Sequence, residues 1–163
     1  FVRELLGERL GYLLSDCIEH RSHSGCARAL RLRVDVPPEL PPIELDKDLL
    51  RIAINNLLTN AAKYNRADGE IILAAEETDD HIVISVQDSG IGIAADELPH
   101  IFEKFYRSAD REAVSRGGHG LGLYLARQIV ELHQGQIEVA SQPGQGTRFT
   151  LSFRKPHVLL RAA

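Results

Sequence analysis

Methionine and tryptophan are absent from this 163-residue chain, and cysteine occurs only twice, as Cys17 and Cys26. Two lone thiols cannot build a disulfide scaffold or a four-ligand zinc site, so they read as reduced cytosolic thiols. No apolar run approaches the ~18 residues of a membrane span, and no segment reads as a signal peptide. With no methionine and Phe1 at its head, the chain is expected to be a segment of a longer protein. Excess positive charge is missing as well. A net charge of -4 argues against a nucleic-acid or anionic-membrane partner. The 44% hydrophobic and 26% charged content is that of an ordinary soluble globular chain. Its length predicts a single domain over 1–163, able to bury about two-thirds of its unfolded surface.

Apolar residues recur at helical spacing from Val2 to Ile18, but Gly7 and Gly11 interrupt them. A helix throughout, or a short strand before a helix from Tyr12, both fit 1–21, with a Ser/His/Gly loop to residue 28. Leu30, Leu32, Val34 and Val36 alternate as in a half-buried strand, which Pro37, Pro38, Pro41 and Pro42 end and rigidify. Asp46 is the N-cap of a predicted helix to Tyr64, with Leu49, Leu50, Ile52, Ala53, Leu57 and Ala61 turned to the core. Residues 71–75 and 82–87 form a hairpin about Thr78-Asp79-Asp80, and 96–105 a short helix. Residues 106–118 are polar and charged with little period, which marks a lid. A strong helix is expected over 120–134 with Gly135 at its C′ position. Strands over 136–141 and 147–153 flank Pro143-Gly144-Gln145-Gly146. This order gives an α+β fold, a two-layer α/β sandwich.

Eight of the 13 glycines fall in Gly90-Ile91-Gly92, Gly117-Gly118-His119-Gly120-Leu121-Gly122 and Gly144-Gln145-Gly146. Such clustering suggests backbone brought close to a ligand. Asn56, Asn60 and Lys63 share one helix face at i, i+4 and i+7, where asparagine is costly unless its amide is used. An amide oxygen can coordinate Mg²⁺ without the repulsion that a carboxylate has toward phosphates. A lysine one turn on can meet a phosphate as a point charge. A solvated helix face is the plainer alternative for this triplet. Asp88 ends a strand ahead of Gly90 and Gly92. Its carboxylate only accepts hydrogen bonds and the adenine amine only donates, so it can favour adenine over guanine. Asp-x-Gly-x-Gly is also a common turn. The run from Gly118 to Leu123 opens a helix, whose N-terminus favours polyphosphate. It lacks the Lys-Ser/Thr ending of a P-loop and the strand of a dinucleotide fingerprint. Arg107, Arg111 and Arg116 of the lid could reach phosphates. ATP with magnesium is the expected ligand.

Together these blocks resemble the N, G1, G2 and G3 boxes of sensor histidine kinases, members of the Bergerat-fold superfamily that also holds gyrase, MutL and large heat-shock chaperones. Ile101-Phe102-Glu103-Lys104-Phe105-Tyr106-Arg107 resembles that family's F box, and the match covers residues 30–153. The resemblance implies a mixed sheet of about five strands under three helices, with ATP beneath the lid at 106–118. It implies Mg²⁺ on Asn60, adenine on Asp88, and Tyr64 and Thr147 near the base. Lys63 and Arg107 would approach phosphates, while Phe102 and Phe105 would anchor the lid. The nucleotide contacts implied are Asn56, Asn60, Lys63, Tyr64, Asp88, Gly90, Gly92, Ile93, Arg107, Gly118, His119, Gly120, Leu121, Gly122, Leu123 and Thr147. His119 stands where a small hydroxyl residue is usual.

In the hydrolytic relatives a glutamate that activates water stands four residues before the magnesium asparagine. Here that residue is Asn56, which cannot act as a base. The family's acceptor histidine is usually followed by Glu or Asp, and none of the seven histidines here is. The resemblance therefore implies the ATP-binding domain of a kinase whose acceptor histidine lies on a separate dimerisation domain. It further implies a downstream response regulator, a monomeric isolated domain, and a parent anchored in a bacterial inner membrane with this domain in the cytoplasm. An anti-sigma-factor-like serine kinase, an ATPase module and a degenerate docking domain are the alternatives.

Overall fold

The computed structural model describes residues 4–5, 30–37, 39–41, 43–108 and 119–155. In chain order the elements are β1 (Glu4–Leu5), β2 (Arg31–Asp35), β3 (Glu44–Leu45), α1 (Lys47–Lys63), β4 (Glu70–Glu77), β5 (His81–Asp88), α2 (Gly122–Leu132), β6 (Gln136–Gln142) and β7 (Gly146–Arg154). Five strands form one sheet in the order β2-β4-β5-β7-β6, while β1 and β3 pair separately. β2 runs parallel to β4 and every other pairing in the large sheet is antiparallel, so the sheet is mixed. This is the expected two-layer α+β sandwich.

Asp46 caps α1 as expected: its Oδ1 accepts the Asp48 and Leu49 N–H groups at 2.9 and 3.0 Å. Leu50, Ala53, Ile54, Leu57, Leu58 and Ala61 bury one side of this helix against the sheet and α2. Ile52, expected in that set, is 47% exposed, because the buried stripe runs through Ile54 and Leu58 instead. From below, Leu73, Ile82, Ile84, Leu151 and Phe153 complete the core. Each such side chain contributes roughly 1.5–3 kcal/mol by leaving water.

Three local expectations are corrected and one is extended. Leu32 and Val34 are 37% and 44% exposed, so β2 is an open edge rather than a half-buried strand. The proline-flanked connection is more than a rigid link, since Leu40, Ile43 and Leu45 enter the core. Residues 96–105 form successive i+3 turns, with Glu97, His100 and Glu103 N–H bonded to Ala94, Glu97 and His100 carbonyls. At the end of α2, Gln134 and not Gly135 takes the left-handed conformation, with φ 57°. Gln134 N–H meets Glu131 O at 2.9 Å and Gly135 N–H meets Val130 O at 3.0 Å, a paired closure of the last turn. The expected helix after Tyr12, the loop to residue 28, both cysteines and 109–118 of the lid lie outside the described residues.

Candidate functional site

The C-terminal half of α1, the exit of β5, the turns at 93–108 and the start of α2 surround a cavity of about 760 Å³, within the size range of small-molecule sites. Of the residues singled out in the sequence, Asn56, Asn60, Lys63, Tyr64, Asp88, Gly92, Ile93, Arg107, His119, Gly120, Leu121, Gly122, Leu123 and Thr147 line it. Gly118 lies outside the described residues. Gly90 is buried and is not part of the wall.

Helical spacing brings Asn56, Asn60 and Lys63 onto the cavity side of α1, where all three are half-buried. Their amides are spent differently. Asn56 Nδ2 donates to the Ile52 carbonyl at 2.9 Å within its own helix. Its Oδ1 faces Gly122, where an added Cβ would stand only 3.0 Å away. The Asn60 amide makes no hydrogen bond among the described residues. Lys63 Nζ lies 4.8 Å from the centre of the Tyr64 ring.

Asp88 ends β5 opposite Thr147 of β7 and is only 7% exposed. Oδ1 accepts the Gly90 N–H at 2.8 Å, and the nearby Thr147 N–H also favours the charged carboxylate. Burial outweighs these donors and pushes the Asp88 pKa up to about 6. Thr147 is fixed through Ser141, whose Oγ lies 2.9 Å from Thr147 Oγ1 and accepts the Ile93 N–H at 2.9 Å.

The glycines serve the protein's own backbone. A Cβ at Gly90 would overlap the Tyr64 carbonyl, which instead accepts the Ile91 N–H at 3.0 Å. Gly92 has φ 72°, and a Cβ there would overlap the Gln142 carbonyl. These two close the loop against α1 and the β6–β7 turn.

α2 begins at Gly122, two residues later than expected, and its N-cap residue Leu121 makes no side-chain capping bond. Its first N–H groups therefore open on the cavity with no acidic residue in the first turn. The expected lid is stitched at its stem, where Phe105 N–H donates to Gly120 O at 2.9 Å. Tyr106 is pinned: its hydroxyl donates to Glu97 at 3.3 Å and its ring stacks on His100. Phe102 packs edge-on against Phe149, whereas Phe105 is 62% exposed, with Lys104 Nζ 5.0 Å from the centre of its ring and its backbone bonded to Gly120.

Part of the wall comes from residues that the sequence did not single out as nucleotide contacts. Ile91, Ile101 and Phe149 give it an apolar surface, and Glu97, Tyr106 and Pro143 join its rim. Phe149 was findable, because it lies two residues along a strand from Thr147 and so on the same face. The others depend on how the turns fold back.

The profile described as "Histidine kinase-, DNA gyrase B-, and HSP90-like ATPase" matches residues 45–157. The chain is 39% identical over 137 residues to the alginate biosynthesis sensor protein KinB of Pseudomonas aeruginosa, covering 84% of this chain and 22% of KinB. Among solved structures, the mycobacterial sensor histidine kinase MprB superposes with TM-score 0.76 at 27% identity, covering 94% of this chain and 97% of that one. Full-length ShkA in complex with AMPPNP gives TM-score 0.79 at 28% identity, over 94% of this chain and 31% of ShkA. The chain thus spans about a fifth of the curated relative's length.

Proposed function

The chain belongs to the family of histidine kinase-, DNA gyrase B- and HSP90-like ATPases, and we propose that it is the ATP-binding catalytic half of a two-component sensor histidine kinase. The observation that carries this reading is the division of one cavity between a buried carboxylate and an uncapped helix start. Asp88 offers only acceptors at one place, suited to the exocyclic amine of adenine. Ile91, Ile93 and Phe149 supply apolar surface for the base, with Tyr64 beside it and Thr147 across from Asp88. The α2 N–H groups, Lys63 and Arg107 suit the polyphosphate, through dipole and point charge. AMPPNP in the related ShkA supports a nucleotide in this cavity.

Asn60 fits a magnesium ligand, because its half-buried amide is unspent and carries no charge to repel phosphate. Mg²⁺ held there would neutralise charge on the β- and γ-phosphates. Asn56 has its amide nitrogen engaged by Ile52 and no lone pair basic enough to take a proton from water, so slow hydrolysis follows. The γ-phosphorus then leaves its bridging oxygen on ADP and bonds to an imidazole nitrogen, whose proton passes to a base on the acceptor domain. Catalysis from this side is positioning and electrostatic stabilisation.

The acceptor histidine belongs to a dimerisation and phosphotransfer domain of the parent, and a response regulator takes the phosphoryl group onward. The parent is anchored in a bacterial inner membrane with this monomeric domain in the cytoplasm, and nucleic acid is not a partner. Among the described residues no helix is long and apolar enough to cross a membrane.

Incubation with γ-labelled ATP tests the proposal. The chain alone should stay unlabelled and release ADP slowly. Adding the parent's dimerisation domain should put acid-labile, alkali-stable label on that added protein. Label on this chain alone, or fast hydrolysis without acceptor, would overturn the reading in favour of a serine kinase or an ATPase.

A further inference from the structure

Behind the cavity wall lies a closed ring of hydrogen bonds that joins the end of α1 to the residue after Asp88. Asn65 is fully buried, two residues beyond the end of α1. Its Nδ2 donates to the Glu70 carbonyl at 3.0 Å. Its Oδ1 accepts the Arg66 N–H at 3.0 Å and the Ser89 hydroxyl at 3.2 Å. Ser89 Oγ in turn accepts the Glu70 N–H at 2.8 Å, and Ser89 N–H donates to Glu70 O at 3.1 Å. Neither Asn65 nor Ser89 lines the cavity.

We infer that Asn65 and Ser89 are positioning residues that fix where the Asp88 carboxylate stands relative to α1, and so set base selectivity. The inference rests on the reading of Asp88 as the adenine contact. The ring is satisfied donor for acceptor, so its geometry has little freedom once closed. It clamps the backbone on the C-terminal side of Asp88 through Ser89, while Gly90 N–H holds Oδ1 from the same loop. The other end of the clamp is continuous with Lys63 and, one turn earlier, Asn60. Base contact and phosphate contacts are therefore held at a fixed separation through Asn65. A carboxylate released from this hold could swing toward other donors and lose its preference for an amine over a carbonyl.

A double-mutant cycle on the full chain tests this, reading ATP and GTP dissociation constants by titration calorimetry. Ser89→Ala removes both hydrogen bonds of the hydroxyl and should weaken ATP binding by about threefold to tenfold and narrow the ATP-to-GTP ratio. Ser89→Thr, which keeps the hydroxyl, should restore both. In an Asp88→Asn background Ser89→Ala should change ATP affinity much less, because its effect passes through the carboxylate. If Ser89→Ala folds poorly by circular dichroism, Ser89→Cys replaces it, with similar size and a far weaker donor. Equal effects of Ser89→Ala in both backgrounds, or a threonine variant as weak as alanine, would overturn the positioning inference alone. Undiminished ATP affinity in Asp88→Asn itself would instead overturn the base contact on which it rests.

Discussion

A carboxylate taken out of water costs stability unless donors replace its hydration, and Asp88 has the Gly90 N–H bond and a nearby Thr147 N–H against nearly complete burial. The balance leaves its pKa at about 6, above the ordinary 3.8. Because the folded state holds this proton more tightly, the group's stabilising contribution is complete below pH 3.8. It is lost as pH rises through about 6. At neutral pH the ionised group costs the empty domain about 3 kcal/mol. The proposed contact with the adenine amine needs the ionised form, so nucleotide affinity should move the opposite way. From pH 7.5 to pH 5, calorimetry should show ATP binding weaken by about tenfold, the fraction of Asp88 still ionised. Asp88→Asn should flatten that profile, weaken ATP binding at neutral pH, and raise the Tm of the empty chain. A variant with lower Tm and unchanged pH profile would show that Asp88 is a structural group. The residue exchanges stability for recognition.

Among the elements, α1 and α2 are joined end to end by one imidazole. His133 closes α2, its Nδ1–H donating to Ile129 O at 2.7 Å while Nε2 accepts the Asp46 N–H at 3.0 Å. Asp46 is itself the N-cap of α1, and its pKa is lowered first by the Leu49 N–H and further by the Asp48 N–H. The sign is the reverse of Asp88: this contribution is present above pH 3.8 and disappears as pH falls through the lower folded value. Asp46→Ala should therefore lower Tm at pH 7, and the gap to wild type should close in acid, which scanning calorimetry can follow. The cap was legible because a capping aspartate stands just ahead of an apolar period. The placement of Ile52 was not, since a stripe one residue wider fits the same sequence and only the packing of α2 selects Ile54 and Leu58. Leu40, Ile43 and Leu45 were hidden by prolines, which signal a break in hydrogen bonding but say nothing of burial. Nor could Gln134 be foreseen in a left-handed position with a glycine beside it. Most of the cavity wall was legible because polar residues on an apolar helix and clustered glycines break local rules, and such breaks mark sites. Asn65 and Ser89 obeyed local rules and went unnoticed.

Across the whole molecule, the cavity draws its wall from both layers, and no single element owns it. A ligand spanning Asp88, Asn60 and the start of α2 would tie the sheet to both helices, so binding should appear as stability of the entire domain. At a hundredfold excess over Kd, linkage gives about 2.7 kcal/mol, or roughly a 5–10 °C rise in Tm for a domain of this length. Adenosine, which on the proposed reading would reach only the Asp88 side, should give a smaller rise than ATP. Adding magnesium to ATP should raise Tm further in the wild type. Asn60→Ala should keep the unliganded Tm, because the amide has no partner among the described residues to lose. In that variant ATP alone should still stabilise, while the extra increment from magnesium should vanish. Differential scanning fluorimetry with adenosine, ATP, and ATP with Mg²⁺ would separate these terms. An equal magnesium increment in mutant and wild type would assign the metal to another residue. Equal rises from adenosine and ATP would remove the α2 start and Lys63 from the phosphate site, leaving the uncapped helix without its ligand.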